Sequence, residues 1–260
     1  MNVNSTVEMT INGHVATICL NRPDSLNAFN REMRAELLAC FTQVSAMPQI
    51  RVVVLGGNGR GFSSGADLSQ GPLDGQSVER QLLDEYGPIL RLIETMDQTV
   101  IAAIPGVMAG IGAAFAMHCD LAVMANDASM VMAFTNVALV PDGGATWNLL
   151  QRLGYQRAFQ LIAEGGRLDA ASCLELGLVT KLADAGEVLV TAQAWAEALA
   201  QRAPIALREA KTLLRNAGTQ SFSETMAAEA KAQNQCFASE DAAEAISAFM
   251  AKRSPIFNGR

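Results

Sequence analysis

Two short apolar runs, residues 52–55 (Val-Val-Val-Leu) and 100–104 (Val-Ile-Ala-Ala-Ile), each lead into a glycine-rich stretch. Continuous runs of this length, rich in β-branched residues, are expected where a strand is covered on both faces. Such strands belong to parallel sheets flanked by helices, so these two junctions limit the fold more than any other feature. Around them, residues 7–20 read as a hairpin turning at Asn12-Gly13. Residues 30–47 and 78–96 carry helical spacing, the second with an expected kink at Gly87-Pro88. Residues 110–118 read as a small-residue helix, and 121–124 and 129–132 as further short strands. Beyond Pro141 the pattern is helical: 146–152, 156–163, 170–176, 186–202, 205–216, 222–238 and 241–251. The expectation is an α/β chain with a parallel-sheet core followed by helices.

The bulk composition excludes several functions. The 260 residues are 50% hydrophobic and 17% charged, enough for a substantial core. A net charge of −7 argues against a nucleic-acid partner, which demands clustered Lys and Arg. The five cysteines are scattered without CxxC spacing, so neither a disulfide framework nor a zinc or other metal site is expected. The N-terminus lacks the layout of a signal peptide, and the apolar stretch 100–117 is broken by Pro105, so no membrane span is expected. A reducing cytoplasm is the expected compartment.

Three segments carry candidate chemistry. Gly59-Arg60-Gly61-Phe62-Ser63-Ser64-Gly65-Ala66-Asp67-Leu68 follows the first buried run, where glycines leave backbone N–H groups free to approach a ligand. Gly106-Val107-Met108-Ala109-Gly110-Ile111-Gly112-Ala113-Ala114 follows the second and opens a helix, a place suited to an oxyanion. Alone, the first is better explained as a plain strand-to-helix turn, and the second equally well as close helix packing through small residues. Together, two junctions that each offer one amide could clamp a thioester oxygen and stabilise an enolate. The acid/base candidate is Asp142, between an apolar run and the helical stretch at Thr146-Trp147. From spacing alone, a helix cap is the favoured reading of that residue.

The same segments carry a resemblance. Asn21-Arg22-Pro23, then Leu26-Asn27-Ala28-Phe29, is similar to the N-terminal signature of the crotonase (enoyl-CoA hydratase/isomerase) superfamily. Phe62 through Leu68 resembles its first oxyanion-hole loop and Gly106 through Asp120 its second. Ala133 through Trp147 resembles its active-site segment, and Ser247 through Arg253 its C-terminal helix. The resemblance implies a ClpP/crotonase-like spiral core of ββα units over residues 1–200. Residues 201–260 would form a helical trimerisation module, in a homotrimer or dimer of trimers. It implies an acyl-CoA thioester as ligand, with coenzyme A entering as part of the substrate and no separate cofactor. The amides of Ala66 and Ile111 would form the oxyanion hole, and Asp142 would be catalytic. Arg22, Leu26, Ser64, Ala66, Asp67 and Leu68 would bind CoA, joined by Phe249 and Lys252 of an adjacent subunit. Ala114, Phe134 and Val137 would line the acyl pocket, together with the variable segment 69–81.

Departures from the family narrow the activity. Hydratases of the family carry two glutamates that handle water, and at those positions this chain has Ala114 and Phe134. An Asp directly after the proline, as Pro141-Asp142 here, occurs in family isomerases. The run from Met132 to Trp147 and the tail from Ala251 most resemble ring-1,2-epoxyphenylacetyl-CoA isomerases. Ala145 stands where a third glycine is usual, and Asp97-Gln98-Thr99 replaces a common Lys-Pro. An isomerase is therefore expected, with a hydratase or a non-catalytic acyl-CoA-binding homologue as the alternatives. Other residues read as structural: His118 as packed core, His14 as solvent-facing, Asp67 and Asp120 as loop anchors, Met124, Met130 and Met132 as core filling. Glu79 and Glu85 read as a solvated helix face.

Overall fold

The first turn of the chain comes at Gly13-His14, one residue later than expected, because Asn12 still pairs with Val15. Gly13 takes a positive φ of 56°, which lets the hairpin close in two residues. The computed structural model describes residues 5–71 and 75–260. The hairpin joins β1 (Val7–Asn12) to β2 (Val15–Leu20), and α1 (Arg31–Ser45) follows, capped by the Asn30 side chain on the Met33 N–H.

Three units then repeat one plan. The first is β3 (Val52–Gly57), β4 (Gly61–Ser63) and a helical stretch made of α2 (Val78–Gln81), a π-helical segment (Leu82–Tyr86) and α3 (Gly87–Thr95). The second is β5 (Thr99–Ile104), β6 (Val107–Ala109) and α4 (Ile111–His118). The third is β7 (Leu121–Ala125), β8 (Ser129–Val131) and α5 (Ala145–Ala163). In each unit the first strand joins one sheet and the second joins another, so the chain spirals between them. After β9 (Arg167–Asp169), α6 (Ala170–Glu175), β10 (Lys181–Ala183) and α7 (Val188–Ala200), the sheets are complete as β1-β2-β3-β5-β7-β10 and β4-β6-β8-β9. Strands β2, β3, β5, β7 and β10 run parallel, and β3 and β5 are apolar runs buried on both faces, as expected.

Some expectations are corrected. Strands β4, β6, β9 and β10 were not foreseen, because three residues are too few to show a period of two. The kink at Gly87-Pro88 is absorbed by the π segment, whose wider turn accommodates the proline's missing N–H and the clash of its ring with the carbonyl four residues earlier. The helices expected at 146–152 and 156–163 form one stretch interrupted only at Gly154, where φ is 72°.

Three helices end the chain: α8 (Pro204–Ala217), α9 (Phe222–Phe237) and α10 (Glu240–Met250). Helix α8 is bolted to the core. Lys211 Nζ donates to the carbonyls of Ile93 and Gln98 and pairs with Asp120 Oδ2, each at 2.9 Å. Arg215 Nη2 donates to the His118 carbonyl at 2.6 Å and to Asp120 Oδ1 at 2.9 Å. Asp120 also accepts the Val100 N–H at 2.9 Å, so it anchors structure as expected. The chain's end is latched as well, with buried Asp241 accepting from the N–H groups of Asn258 and Gly259. The exposed faces of α9 and α10 carry Phe222, Met226, Phe237, Ile246, Phe249 and Met250.

Candidate active site

The loop after β4 is held by the 3-10 turn Pro23–Ser25 and its flanks. Arg22 Nη1 donates to the Ala28 carbonyl at 2.6 Å and to Asp67 Oδ2 at 2.9 Å. Ser64 donates its N–H to the Leu26 carbonyl at 2.8 Å and its hydroxyl to that of Ser25 at 3.1 Å. The Ser69 hydroxyl, followed by Arg22, holds the Asp67 carboxyl below its ordinary range. Arg22, Leu26, Ser64, Ala66 and Asp67 are thus gathered in one bonded cluster, with exposed Leu68 at its edge. Phe29 grips the loop from below: its N–H donates to the Gly65 carbonyl at 2.8 Å, and its carbonyl accepts from Asp67 N–H at 3.1 Å. Between those two bonds, the Ala66 N–H has no partner among the described residues.

Helix α4 supplies the second amide. Gly110 precedes it with φ 53° and ψ −130°, a conformation closed to residues bearing a Cβ, and it turns the chain sharply into the helix. Ile111 is therefore the first helical residue, and its N–H has no partner among the described residues. The two junctions touch: a Cβ built on Gly65 would stand 3.7 Å from Gly110 Cα. Behind them, a Cβ on Gly112 would meet Ser63 Cβ at 2.7 Å, so α4 rests directly on β4. Gly112→Ala should push the helix off that strand, costing about 1–3 kcal/mol of stability by overpacking. It should also lower turnover, because the spacing of the two amides changes with it. Thermal unfolding alongside steady-state kinetics would check both, and wild-type values in each would contradict this close packing.

Asp142 lies against the same helix. The turn Asp142-Gly143-Gly144 runs along the face made by Ile111, Ala114 and His118. A Cβ on Gly143 would stand 3.0 Å from both Ala114 Cβ and Ile111 Cγ1, and one on Gly144 would meet His118. The favoured cap reading of Asp142 is corrected: α5 starts after Gly144, without a side-chain cap, and Asp142 only offers its carbonyl to the Ala145 N–H. Its Oδ1 is buried and has no hydrogen-bond partner among the described residues. Burial pushes the carboxyl up to about 6. Ala114 and Phe134 are buried, with Phe134 Cζ 3.8 Å from the position of a Cβ on Gly110, while Val137 is exposed.

Other expected residues stand apart. Phe249 and Lys252 sit exposed at the end of α10, and neither bonds to the Arg22–Asp67 cluster. Part of the acyl-pocket segment 69–81, residues 72–74, lies outside the described residues. Glu85 is corrected from a solvated position, since it ion-pairs with buried Arg34 at 2.7 Å. His118 is half-buried with Nδ1 3.0 Å from the Ala114 carbonyl, and burial lowers its pKa. Sequence reasoning missed Arg34 and Tyr86, whose side chains meet at 3.3 Å. The signal available was a tyrosine placed just before Gly87-Pro88. Among the described residues no cluster of His, Cys, Asp or Glu could hold a metal ion.

Two free amides at touching strand-to-helix junctions, with a carboxyl whose Oδ1 is buried on the turn packed against the same helix, can stabilise a thioester enolate and move a proton. Known proteins resemble this chain along nearly its whole length. It is 38% identical over 254 residues to the 1,2-epoxyphenylacetyl-CoA isomerase of Escherichia coli K12, covering 95% of each chain. It is 31% identical to the short-chain-enoyl-CoA hydratase of Clostridium acetobutylicum, covering 93% of each. An enoyl-CoA hydratase from Polaromonas sp. JS666 superposes with a TM-score of 0.91 at 32% identity, over 97% of this chain and 99% of that one. An enoyl-CoA hydratase from Bacillus anthracis gives a TM-score of 0.92 at 30% identity, over 98% of this chain and 100% of that one. The sequence pattern of the enoyl-CoA hydratase/isomerase family runs from residue 10 to residue 260, and the chain belongs to that family, on the crotonase fold.

Proposed function

We propose that the protein is an acyl-CoA isomerase in which Asp142 takes a proton from the acyl chain and returns it elsewhere. The amides of Ala66 and Ile111 hold the thioester oxygen as charge builds on it. The observation that carries this reading is the buried, unpartnered Oδ1 of Asp142, whose neighbour Gly143 packs on Ile111 and Ala114 of α4. A carboxyl poised at about 6 is ionised enough at neutral pH to accept a proton and acidic enough to return it. Each amide of an oxyanion hole contributes about 3–4 kcal/mol to such a step. The ligand enters over the Arg22–Asp67 cluster, which we assign to CoA.

The similarity to the E. coli 1,2-epoxyphenylacetyl-CoA isomerase supports a ring epoxide of an arylacetyl-CoA as the substrate class. Proton removal by Asp142 and an oxyanion hole could then drive ring expansion. The relatives named as hydratases favour hydration instead. Ala114 and Phe134, however, leave nothing to activate water where that chemistry uses two glutamates. Hydration of crotonyl-CoA by this protein should therefore fall well below roughly 10 per second, the median for metabolic enzymes. A spectrophotometric assay of the enoyl thioester measures this directly, and a turnover at or above that value would favour the hydratase. No metal or redox cofactor takes part in the proposed chemistry.

The same reading extends to assembly. The apolar faces of α9 and α10 would cover one another in a trimer or dimer of trimers, with residues 201–260 as the assembly module. Phe249 and Lys252 would then reach the CoA of an adjacent site. With a net charge of −7 on the chain, local cations must hold a polyanionic ligand. Lys252→Glu should weaken CoA binding, most strongly at low salt, and leave the melting temperature unchanged. Calorimetric titration at two ionic strengths tests this, and light scattering tests assembly: a fully active monomer would rule out a shared site. A cytoplasmic setting suits the five free cysteines, and no described helix is long and apolar enough to cross a membrane.

A further inference from the structure

Strands β2, β3 and β5 begin side by side, since the Arg51 N–H donates to the His14 carbonyl at 2.9 Å and the Thr99 N–H to the Arg51 carbonyl at 3.2 Å. His14, Arg51 and Thr99 form one wall of a cavity of about 890 Å³, a volume typical of small-molecule sites. The start of α8 and the tail residues 256–260 form others. The Ala66 and Ile111 junctions lie beyond the opposite ends of β3 and β5. A strand of that length separates the two places by roughly 17–20 Å. The cavity is therefore no part of the proposed active site.

Its lining is suited to an anion. Arg51 is half-buried, and donates from Nη1 to the Ala200 carbonyl at the end of α7 and from Nη2 to the Phe257 carbonyl, each at 2.8 Å. These bonds fix the guanidinium, yet it pairs with no carboxylate among the described residues and its other donors are unspent. Arg202, also lining the cavity, has no side-chain partner among the described residues. Asp97, the only acidic side chain among the described lining residues, is taken by Arg208 at 3.7 Å. Helix α8 starts without a side-chain cap, and the Ile205 N–H at its positive end has no partner among the described residues. Gln98 supplies a demand of the other kind. It lines the cavity at 3% exposure, and its Nε2 donates to the carbonyls of Val44 at 3.2 Å and Met47 at 3.4 Å. The amide is thereby oriented, and its Oε1 is buried without a partner. A buried acceptor left without a donor is costly, and few native structures keep one.

We propose that this cavity is a second ligand site, which takes a small organic phosphate bearing hydroxyl groups. Arg51, Arg202 and the Ile205 amide offer three separate donor groups, a better match to the three terminal oxygens of a phosphate than to the two of a carboxylate. A ligand hydroxyl donates to Gln98 Oε1. Glucose 6-phosphate is a suitable probe, with glucose, inorganic phosphate and gluconate as partial copies of it. By calorimetry the wild-type protein should bind glucose 6-phosphate at least roughly 10-fold more tightly than any of the three, the worth of one charge-assisted hydrogen bond. Arg202→Glu, a change at an exposed side chain without bonds, should weaken that binding by at least as much, and Arg51→Gln should do the same. Asp142→Asn should leave it unchanged. Absence of glucose 6-phosphate binding to the wild-type protein would overturn the proposal, and so would equal binding of inorganic phosphate or glucose. Gluconate bound as tightly would overturn the assignment to a phosphate. Binding that survives Arg202→Glu, or that is lost in Asp142→Asn, would place the ligand elsewhere and overturn it too. The wild-type comparison decides the matter even should Arg51→Gln not fold.

Discussion

Asp142→Asn should lower isomerase turnover by roughly 100-fold or more, the contribution of a positioned general base, while CoA affinity stays near that of the wild type. A non-catalytic binding protein would show no such split, so measuring turnover and affinity on the same variant separates the two readings. The wild-type pH profile should agree. With the carboxyl at about 6, the competent ionised form disappears below that pH, and kcat/KM should fall about tenfold for each further unit. Stability should move the other way. The folded-state pKa of Asp142 lies above the ordinary value of 3.8, so the folded protein prefers the protonated acid. Its contribution to stability is fully present below pH 3.8 and is lost as pH rises through about 6. At neutral pH the buried charge therefore weakens the fold, by up to about 3 kcal/mol at 1.36 kcal/mol per unit. Asp142→Asn should be the more stable protein at pH 8 and show little gain near pH 4. A variant that is both inactive and less stable at pH 8 would contradict a carboxyl held for chemistry at the expense of stability.

The second large effect belongs to Asp120. Its two oxygens neutralise Lys211 and Arg215, whose side chains are 8% and 19% exposed, and one of them also takes the Val100 N–H. Asp120→Ala would leave two cations and a strand amide without their partner. Removal of one member of a buried pair costs about 3–5 kcal/mol. That is a large share of the 5–15 kcal/mol typical of a whole domain. Chemical denaturation should show the midpoint shifted far down. The Asp120→Leu/Lys211→Met/Arg215→Met triple variant should recover much of the loss, since apolar groups of similar size can replace a buried ion cluster. A single variant with wild-type stability would mean that the network contributes nothing.

Both effects mark what could be read from the sequence. The two junctions were legible because a doubly buried strand is written as an unbroken apolar run, and because amides reach a ligand most easily through glycine. The choice of Ala66 and Ile111 within them came from the family resemblance, and each follows directly on the glycine, Gly65 or Gly110, at which the two loops touch. Of the second sheet only β8 was legible; β4, β6 and β9 span three residues each, too few to show a period of two. Asp142 illustrates a limit of another kind. Spacing suggested a cap, but Gly144 takes the position that begins the helix, and only the packing of Gly143 on Ala114 and Ile111 brings the carboxyl beside α4. Arg34 and Tyr86 were invisible for a third reason. They lie 52 residues apart on separate helices, and no local pattern announces a contact of that range.

The bolt between α8 and Asp120 also bears on the order in which the protein comes into being. Asp120 follows the last turn of α4, and the first turn of that helix carries the Ile111 amide. A nascent chain leaving the ribosome has threaded both sheets by about residue 183, yet Lys211 and Arg215 have still to emerge. Until they do, Asp120 is a half-buried anion without its cations, and the helix that carries the free Ile111 amide lacks these bonds at its other end. The proposed oxyanion site is therefore braced by residues synthesised about a hundred positions after Ile111, which ties the birth of activity to the emergence of α8.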